Sequence, residues 1–377
     1  MSKKRGNGEG SISRRKDGGW MGQYAVHTAE GRKRKTVYAK TRKEVAAKLV
    51  KVLSNREDGL TFDAKNLTLG KYLDLWLKDS VQDTVRLSTY QGYERNARLH
   101  IKPALGRIKL DRLTPVHVRG LYRERMEAGL SHRMVQLVHT TLHKALKQAV
   151  NDGLIPRNVT EAVKAPRPVK KEMQALNPEQ ARALLGEAHG HRLEALYALA
   201  VTTGMRQGEL LGLKWEDVDL EARTIRIRRT LSTAMGGGIS FNPPKTAKSR
   251  RSIRLTELAV SSLKWHRKAQ LEERMKLAGL WKDHDLVFTT GVGTPMSRAD
   301  LITRSFKPLL KKAELPDIRF HDLRHTCATL LLGRGVHVKL VQELLGHSTI
   351  AVTLDTYSHV LPGMDDGLAD TMDEALG

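Results

Sequence analysis

The stretch "HDLRHTCAT", residues 321–329, brings two histidines and an arginine within little more than one helical turn. Two histidines four apart hold zinc in proteases with the pattern H-E-x-x-H, whereas a histidine and an arginine three apart can face one phosphate. Zinc proteases need a glutamate beside the first histidine, but here stands Asp322, and Arg324 is a permanent cation beside the second. The stretch therefore favours a phosphate contact by His321 and Arg324, and His325 is predicted to be an ordinary hydrogen-bonded helix histidine.

The helical period places the apolar side chains of this segment on one face. The predicted buried stripe consists of Leu323, Cys327, Leu330 and Leu331. His321 and Arg324 lie together beside that stripe. An arginine fork matches two phosphate oxygens and a histidine adds a group that can donate or accept a proton, so the pair suits a phosphodiester.

Two further motifs flank this stretch in a fixed order. "TTGMRQGELLGLKW", residues 202–215, carries Arg206 after a glycine at a helix bend, with Glu209 three residues on. "LLGHSTIAVTLDTYSHV", residues 344–360, supplies His347 and, ten residues later, Tyr357. Together with "HDLRHTCAT" these motifs resemble those of the tyrosine recombinase (phage integrase) family over about 160 residues.

The resemblance implies a set of catalytic roles. Tyr357 would attack a DNA phosphodiester and form a 3′-phosphotyrosine with a free 5′-hydroxyl. A free tyrosine with a pKa of about 10 is only about 0.1% ionised at neutral pH, so it needs cationic and proton-accepting neighbours. Arg206 and Arg324 would clamp the phosphate oxygens. His321 and His347 would hydrogen-bond the phosphate and help to manage the tyrosine proton.

The leaving 5′-oxygen also needs a general acid, which the family supplies from a lysine on a β-hairpin. "PPKTAKSRRSIRL" offers Lys245 and Lys248, and the resemblance favours Lys245 because it directly precedes a threonine. Glu209 would orient Arg206 or His321, or else be an ordinary surface glutamate. Because the phosphotyrosine stores the bond energy, no metal, ATP or other cofactor is expected. The arginines of "RRTLS" and "SRRS" are predicted to be solvated or to contact the DNA backbone.

Charge is sorted along the chain. The 377 residues contain 65 Lys and Arg against 41 Asp and Glu, a formal net charge of +24. Residues 1–58 hold 16 Lys and Arg and 6 Asp and Glu, whereas residues 361–377 hold five acids and no Lys or Arg. This distribution predicts that nucleic acid is the partner and that the N-terminal end contacts it.

The chain is predicted to be a multidomain α+β protein. Residues 1–58 are expected to form a small three-stranded sheet with a helix, capped by Thr41 and Glu44. Residues 66–165 are expected to form an all-helical domain, in which Thr68 and Ser131 begin two of the helices as N-caps. Residues 173–377 are expected to be α-rich, with "RTIRIRRTL" and "SRRSIRL" as the strands of a small antiparallel hairpin. By resemblance these are the arm-binding, core-binding and catalytic domains. A disordered basic tail is the alternative for residues 1–58.

The arm-binding domain would contact phosphates through Lys and Arg. The candidate side chains are Arg14, Arg15, Lys16, Arg32, Lys33, Arg34 and Lys35.

Cys327 is the single cysteine, which excludes an intramolecular disulfide and a cysteine-rich metal site. The chain has no apolar signal segment and no run of 18 apolar residues, so neither export nor a membrane partner is expected. Both observations predict action in the cytoplasm of a bacterial host, on its nucleoid.

The function predicted on these grounds is site-specific recombination of double-stranded DNA at core-type and arm-type attachment sites, for integration and also excision. A homotetramer on DNA is implied, with DNA-bending and directionality factors as further partners. The C-terminal "LADTMDEAL" would be a helix packing on a neighbouring subunit or a frayed acidic tail. The alternatives are a DNA-binding regulator that does not cut and a type IB topoisomerase-like enzyme, which would relax arbitrary plasmids.

Overall fold

A computed structural model describes residues 11–15, 18–28, 31–57, 67–168, 173–233, 238–243, 250–357 and 368–377. Only the backbone is described for residues 25–28, 31–35, 51–57, 233, 239 and 368–371. The chain divides into two compact units, residues 1–170 and residues 171–377.

The first unit begins with an antiparallel sheet of three strands in the order β1 (Ser11–Arg14), β2 (Trp20–Thr28) and β3 (Gly31–Ala39). Helix α1 (Arg42–Glu57) follows. Thr41 and Glu44 form the predicted capping box, because each side chain accepts a hydrogen bond from the other residue's backbone nitrogen at 3.3 Å. The predicted three-stranded sheet with a helix is confirmed.

The remainder of this unit is helical. Its helices are α2 (Leu69–Leu75), α3 (Leu87–Asn96), α4 (Lys102–Leu105), α5 (Pro115–Glu127) and α6 (His132–Asn151). The predicted caps are present: the Thr68 hydroxyl accepts from the backbone of Lys71, and that of Ser131 from Met134. Because an N-cap and an apolar stripe are local properties of a helix, both helix starts were predictable. The predicted all-helical region is confirmed.

The second unit is α-rich. Its helices are α7 (Pro178–Glu187), α8 (Glu194–Thr203), α9 (Gln207–Leu211), α10 (Glu257–Leu277), α11 (Arg298–Asp300), α12 (Lys307–Lys312), α13 (Asp322–Leu332), α14 (Val338–Leu345), α15 (Ile350–Tyr357) and α16 (Leu368–Leu376). Helix α8 is apolar on every face and lies in the core, because Ala195–Val201 are all buried.

Two small antiparallel sheets lie between α9 and α10. One has the order β4 (Val218–Asp219), β5 (Thr224–Ile227) and β8 (Arg251–Arg254), and the other pairs β6 (Thr230–Thr233) with β7 (Ile239–Asn242). The prediction that "RTIRIRRTL" forms one strand of a hairpin was therefore wrong in detail, because the segment divides between two sheets.

Ion pairs hold the chain at the break between β5 and β6. Arg229, between β5 and β6, donates to Asp217 at 2.6 Å and to Glu216 at 2.7 Å, and Arg228 lies 3.5 Å from the buried Asp217 carboxylate. The prediction that the arginines of "RRTLS" are solvated or contact DNA is wrong for Arg229, because these ion pairs hold its side chain. The partners come from the turn before β4, so the strand's own pattern gave no sign of the break.

Helices α13, α14 and α15 form a small apolar cluster that positions the end of α15. The cluster consists of Ala328, Leu332, Val341, Leu345 and Tyr357. On α13, Leu323 and Cys327 are buried as predicted, but Leu330 and Leu331 are only partly buried and Leu332 is buried instead. Arg324 on the same helix is also buried, at 3% exposure.

Candidate active site

Arg206 follows a sharp change of chain direction. Helix α8 ends at Thr203, and Gly204 takes up the left-handed conformation with φ +59°. A side chain at Gly204 would meet Leu345 Cδ2 at 2.6 Å, so this close approach also requires glycine. The turn places Arg206 at the N-cap of α9, with its side chain about one third exposed.

Glu209 connects two guanidinium groups. Its carboxylate is 2% exposed and accepts from Arg206 Nη1 at 2.8 Å and from Arg251 Nη2 at 3.0 Å. It also accepts from the backbone nitrogen of Arg206 at 3.0 Å. Burial raises the pKa of Glu209, but Arg251 and then Arg206 outweigh burial and leave that pKa below its ordinary value. Glu209 is thus an ionised group in the interior, and the alternative of a surface glutamate is wrong.

Arg324 is the most enclosed cation of the cluster. Its Nη1 donates to the carbonyl of Gly204 at 2.7 Å, and its Nη2 donates to the carbonyl of Leu345 at 2.7 Å. These are carbonyls at the ends of α8 and α14, so one side chain connects three helices. Burial, and then the neighbouring Arg206, lower the pKa of Arg324 to about 9, which leaves the group charged at neutral pH.

His347 begins the segment between α14 and α15. Gly346 ends α14 in the left-handed conformation with φ +65°, and its carbonyl accepts from Arg206 Nη2 at 3.3 Å. His347 Nδ1 lies 2.9 Å from the hydroxyl of the buried Thr353. Burial, and then Arg324 and Arg206, lower the pKa of His347 to about 4. The imidazole is therefore neutral at pH 7.

Tyr357 is the last residue of α15 and is 1% exposed. Its hydroxyl lies 2.8 Å from Nδ1 of His325, and the two ring centroids are 5.6 Å apart. Burial raises the pKa of Tyr357 to about 12, although Arg324 opposes the effect. In this state the phenol is protonated and covered by protein.

His321 stands at the exposed N-terminal end of α13. Its ring is perpendicular to that of His325, with 5.1 Å between the centroids. Crowding of the ring by protein atoms, and then Arg324 and Arg206, lower the pKa of His321. The two histidines thus form a short series from the surface to the buried tyrosine.

The structure brings five of the predicted residues into one neighbourhood: Arg206, His321, Arg324, His347 and Tyr357. Lys245, Lys248 and Lys16 lie outside the described residues, and the side chains of Arg32, Lys33, Arg34 and Lys35 are not described either. Arg14 and Arg15 are exposed on and after β1, and the Arg15 guanidinium lies 4.9 Å from the centre of the Tyr38 ring.

Two residues of this site were missed by sequence reasoning. Arg251 was predicted to be solvated or to contact DNA, but its side chain is 7% exposed, ion-paired with Glu209 and bonded to the carbonyl of Leu344 at 2.6 Å. The two-residue period of a strand could have indicated that Arg251 is enclosed, because Arg251 shares a face of β8 with the buried Ile253. His325 was predicted to be an ordinary helix histidine, and no local pattern shows that its partner is Tyr357.

Among the described residues, no group of three or more His, Cys, Asp or Glu side chains is arranged to hold a metal ion. Within the same residues, no helix combines the length and the apolar character needed to span a membrane.

Residues 170–363, slightly more than half of the chain, match the phage integrase family, and residues 68–126 match the N-terminal SAM-like domain of phage integrases. The "Tyrosine recombinase XerC-like" protein of Caldanaerobacter subterraneus is 32% identical, with 90% of this chain and 92% of that protein covered. An integrase of Streptomyces ambofaciens is 31% identical over 95% and 94% of the two chains. The ICEBs1 integrase of Bacillus subtilis is 27% identical over 94% and 98%.

Solved structures agree on the fold. The Tn1549 transposon integrase in complex with transposon right end DNA superposes with a TM-score of 0.70 at 24% identity, over 82% of this chain and 99% of that one. A lambda integrase dimer bound to a core site superposes with a TM-score of 0.56 at 18% identity, over 97% and 98% of the two chains. The arginine, histidine and tyrosine cluster, the family match and these relatives have one explanation: the chain belongs to the phage integrase family and is a tyrosine recombinase, an enzyme of site-specific DNA recombination.

Proposed function

We propose that this recombinase cleaves DNA with Tyr357 as the nucleophile and forms a 3′-phosphotyrosine. The observation that carries the proposal is the position of Arg324. Its guanidinium binds Gly204 and Leu345 through their carbonyls, and so holds the segments of Arg206 and His347 beside it. Two cations and a neutral histidine in the neighbourhood of a tyrosine are groups that suit phosphoryl transfer without a metal.

The proposed reaction is a balanced exchange of ester bonds. Tyr357 Oη attacks the phosphorus as its proton passes to His321 or His347, the bond to the 5′-oxygen breaks, and the 5′-oxygen takes a proton from Lys245, or from Lys248 if that lysine is the general acid. Arg206 and Arg324 neutralise the charge of the pentacoordinate transition state, and His321 and His347 hydrogen-bond the phosphate. The freed 5′-hydroxyl then attacks the phosphotyrosine of a second strand, which restores the tyrosine.

Three domains would divide the DNA contacts. Residues 1–58 would bind arm-type sites, residues 66–165 the core site, and residues 173–377 would carry the chemistry. The basic N-terminal end supports this division, as does the match of residues 68–126 to the SAM-like domain. A lambda integrase tetramer bound to a Holliday junction has the same fold, which supports a homotetramer as the working assembly. DNA-bending and directionality factors would act in the same complex, in the host cytoplasm.

Covalent trapping tests this proposal. Labelled duplexes that tile the regions flanking the chain's own gene are nicked near each candidate cleavage position, so that the cleaved strand diffuses away. Each duplex is incubated with protein in EDTA and quenched with SDS. Wild type is expected to give a shifted covalent band and Tyr357→Phe none. A specific complex on a native gel without a covalent band from wild type would contradict the proposal and favour the regulator that does not cut.

A further inference from the structure

The hydrogen bond of the Tyr357 hydroxyl is made by a residue to which the proposed mechanism gives no role. Nδ1 of His325 lies 2.8 Å from Tyr357 Oη. Among the described residues, neither His321 nor His347 hydrogen-bonds this hydroxyl, and His347 Nδ1 faces Thr353 instead. The tyrosine and its partner come from different helices, α15 and α13. The hydrogen bond therefore fixes the reacting atom relative to the helix that carries Arg324.

The direction of this hydrogen bond follows from the protonation of the two groups and from the partners of the hydroxyl. Burial, and then the neighbouring His321, lower the pKa of His325 to about 4, whereas burial raises the pKa of Tyr357 to about 12. At pH 7 the imidazole is neutral and the phenol keeps its proton. Among the described residues the buried hydroxyl has no other hydrogen-bond partner, so its proton is satisfied only if Tyr357 donates to the lone pair of Nδ1 and His325 carries its own hydrogen on Nε2. The lone pairs of Oη are directed away from His325.

Packing alone does not fix the hydroxyl. The Tyr357 ring lies among Ala328, Leu332, Val341 and Leu345, which are apolar contacts without direction. Such contacts allow the ring to slide and the hydroxyl to rotate, whereas the hydrogen bond to Nδ1 fixes both the position of Oη and the side on which its proton lies. Nucleophilic attack is sensitive to displacements of about 1 Å.

We propose that His325 is a positioning residue for the nucleophile, and that Nδ1 fixes the Tyr357 hydroxyl relative to α13, the helix that carries Arg324. This inference rests on the proposed function of Tyr357. His325 acts as a hydrogen-bond acceptor before the attack and not as the final base, because the proton passes to His321 or His347 as Oη attacks. An uncharged acceptor at the position of Nδ1 can therefore replace it. The other groups that face His325 are His321, Asp322, Arg319 and Arg324.

Three substitutions test the proposal on the nicked duplex that wild type cleaves. His325→Asn places Oδ1 near the position of Nδ1, His325→Gln places Oε1 near that of Nε2, and His325→Leu removes the acceptor. The rate of covalent adduct formation is measured at saturating protein. Leu and Gln are expected to lower it about 10- to 100-fold, with DNA affinity on a native gel unchanged. Asn is expected to remain within about threefold of wild type, as one hydrogen bond retained implies.

A matched control lies one helical turn further along α13. Among the residues that the structure describes, the buried Thr329 Oγ1 has no hydrogen-bond partner, so Thr329→Val alters the same helix without removing a hydrogen bond of this kind. Its rate should equal that of wild type. Thermal unfolding measures whether each variant folds. If the Leu variant does not fold, the comparison of the Asn and Gln variants tests the positioning role.

Each contrary result has a distinct meaning. A Leu or Gln variant that cleaves as fast as wild type overturns the positioning role. So does an Asn variant as slow as Gln, because the imidazole would then be needed for proton transfer. Histidine ¹⁵N NMR of the DNA-free protein is an independent measurement, in which Nδ1 of His325 should show an acceptor's shift that changes in Tyr357→Phe. An unchanged shift overturns the inference alone, whereas a wild type without any adduct overturns the proposed function as well.

Discussion

At the scale of single residues, Glu209 shows how a buried charge is kept. Its carboxylate is 2% exposed, yet its pKa lies below the ordinary value because Arg251 and Arg206 both donate to it. A buried ion with all its partners is tolerated, whereas a buried ion that loses one partner is costly. Glu209 therefore orients Arg206 through their hydrogen bond, and loss of the carboxylate charge would leave the guanidinium without its ion-pair partner.

Glu209→Gln is expected to slow covalent adduct formation by about 10- to 100-fold, the usual effect of removing a group that orients a functional side chain. The amide keeps the shape but has no charge for Arg206 and Arg251. The measurement is the single-turnover rate at saturating protein. Glu216→Gln is the control, since that glutamate is half exposed and pairs with Arg229 away from the cluster. Equal rates in the two variants would contradict the orienting role.

The histidines make stability depend on pH. The pKa values of His325 and His347 are about 4 in the folded protein, against about 6.5 in an unfolded chain. Between these values the unfolded chain binds more protons, so the stability from the neutral imidazoles is complete above about pH 6.5 and is lost as the pH falls towards 4.

We expect wild type to lose more free energy of unfolding between pH 7 and pH 5 than the double variant His325→Asn with His347→Asn, in which these groups do not titrate. Urea unfolding at the two pH values measures the difference. An equal loss in both proteins would mean that the folded pKa values are not depressed.

At the scale of elements, the ends of helices assemble the site. Gly204 ends α8, Gly346 ends α14, and the carbonyls of Gly204 and Leu345 accept from one guanidinium. At each of these left-handed residues the chain leaves its helix beside Arg324. This places Arg206 and His347 next to the Arg324 side chain.

Gly204 is required both for its positive φ and for the close approach of Leu345, and Gly204→Ala can be used to separate these two effects. A Cβ there would meet Leu345 Cδ2 at 2.6 Å, in addition to the strain of a positive φ. Gly335 has φ +75° with nothing within 4 Å of an added Cβ, so Gly335→Ala carries the backbone strain alone. We expect both variants to lose about 1 kcal/mol from strain and Gly204→Ala to lose about 1–3 kcal/mol more from overpacking. Equal losses of the free energy of unfolding in the two variants would show that the Leu345 side chain moves aside without cost.

Prediction from sequence succeeded where the signal was local. The caps at Thr41, Thr68 and Ser131 lie beside the helices that they start, and the motifs around Arg206, His321 and Tyr357 occur in their own short segments. It failed where the partner is distant along the chain. Arg229, in the break between β5 and β6, pairs with Asp217 twelve residues earlier, and Arg251 pairs with Glu209 forty-two residues away. His325 meets Tyr357 only after α13 and α15 pack together.

At the scale of the whole molecule, charge governs how DNA is bound. The net charge of +24 is concentrated towards the N-terminal end, where Arg32–Lys35 form a run of four cations on β3. Each phosphate that a cation binds releases counterions, so affinity falls as salt rises, with a slope of about 0.9 for each bound phosphate of duplex DNA.

Serine at Arg32, Lys33, Arg34 and Lys35 is expected to weaken binding to arm-type DNA and to leave core cleavage detectable. On the arm-type duplex, the slope of log affinity against log salt should fall by up to about 3.6, or 0.9 for each phosphate that the variant no longer binds. Gel shifts between 50 and 200 mM salt measure it. Serine at Lys264, Lys268 and Lys276, exposed cations of α10, is the control. If the variant binds arm-type DNA with an unchanged dependence of affinity on salt, the proposal that residues 1–58 bind arm-type DNA is wrong.

The two hydrogen bonds that Arg324 donates to the carbonyls of Gly204 and Leu345 also bear on how such a protein can evolve. In the proposed mechanism the same side chain stabilises the transition state, so one substitution would remove a catalytic cation and leave two helix-end carbonyls without a donor, at about 1–3 kcal/mol for each. A descendant that lost Arg324 but kept this fold for binding DNA would have to acquire other donors for both carbonyls. Loss of this cation is therefore not a neutral step for this architecture.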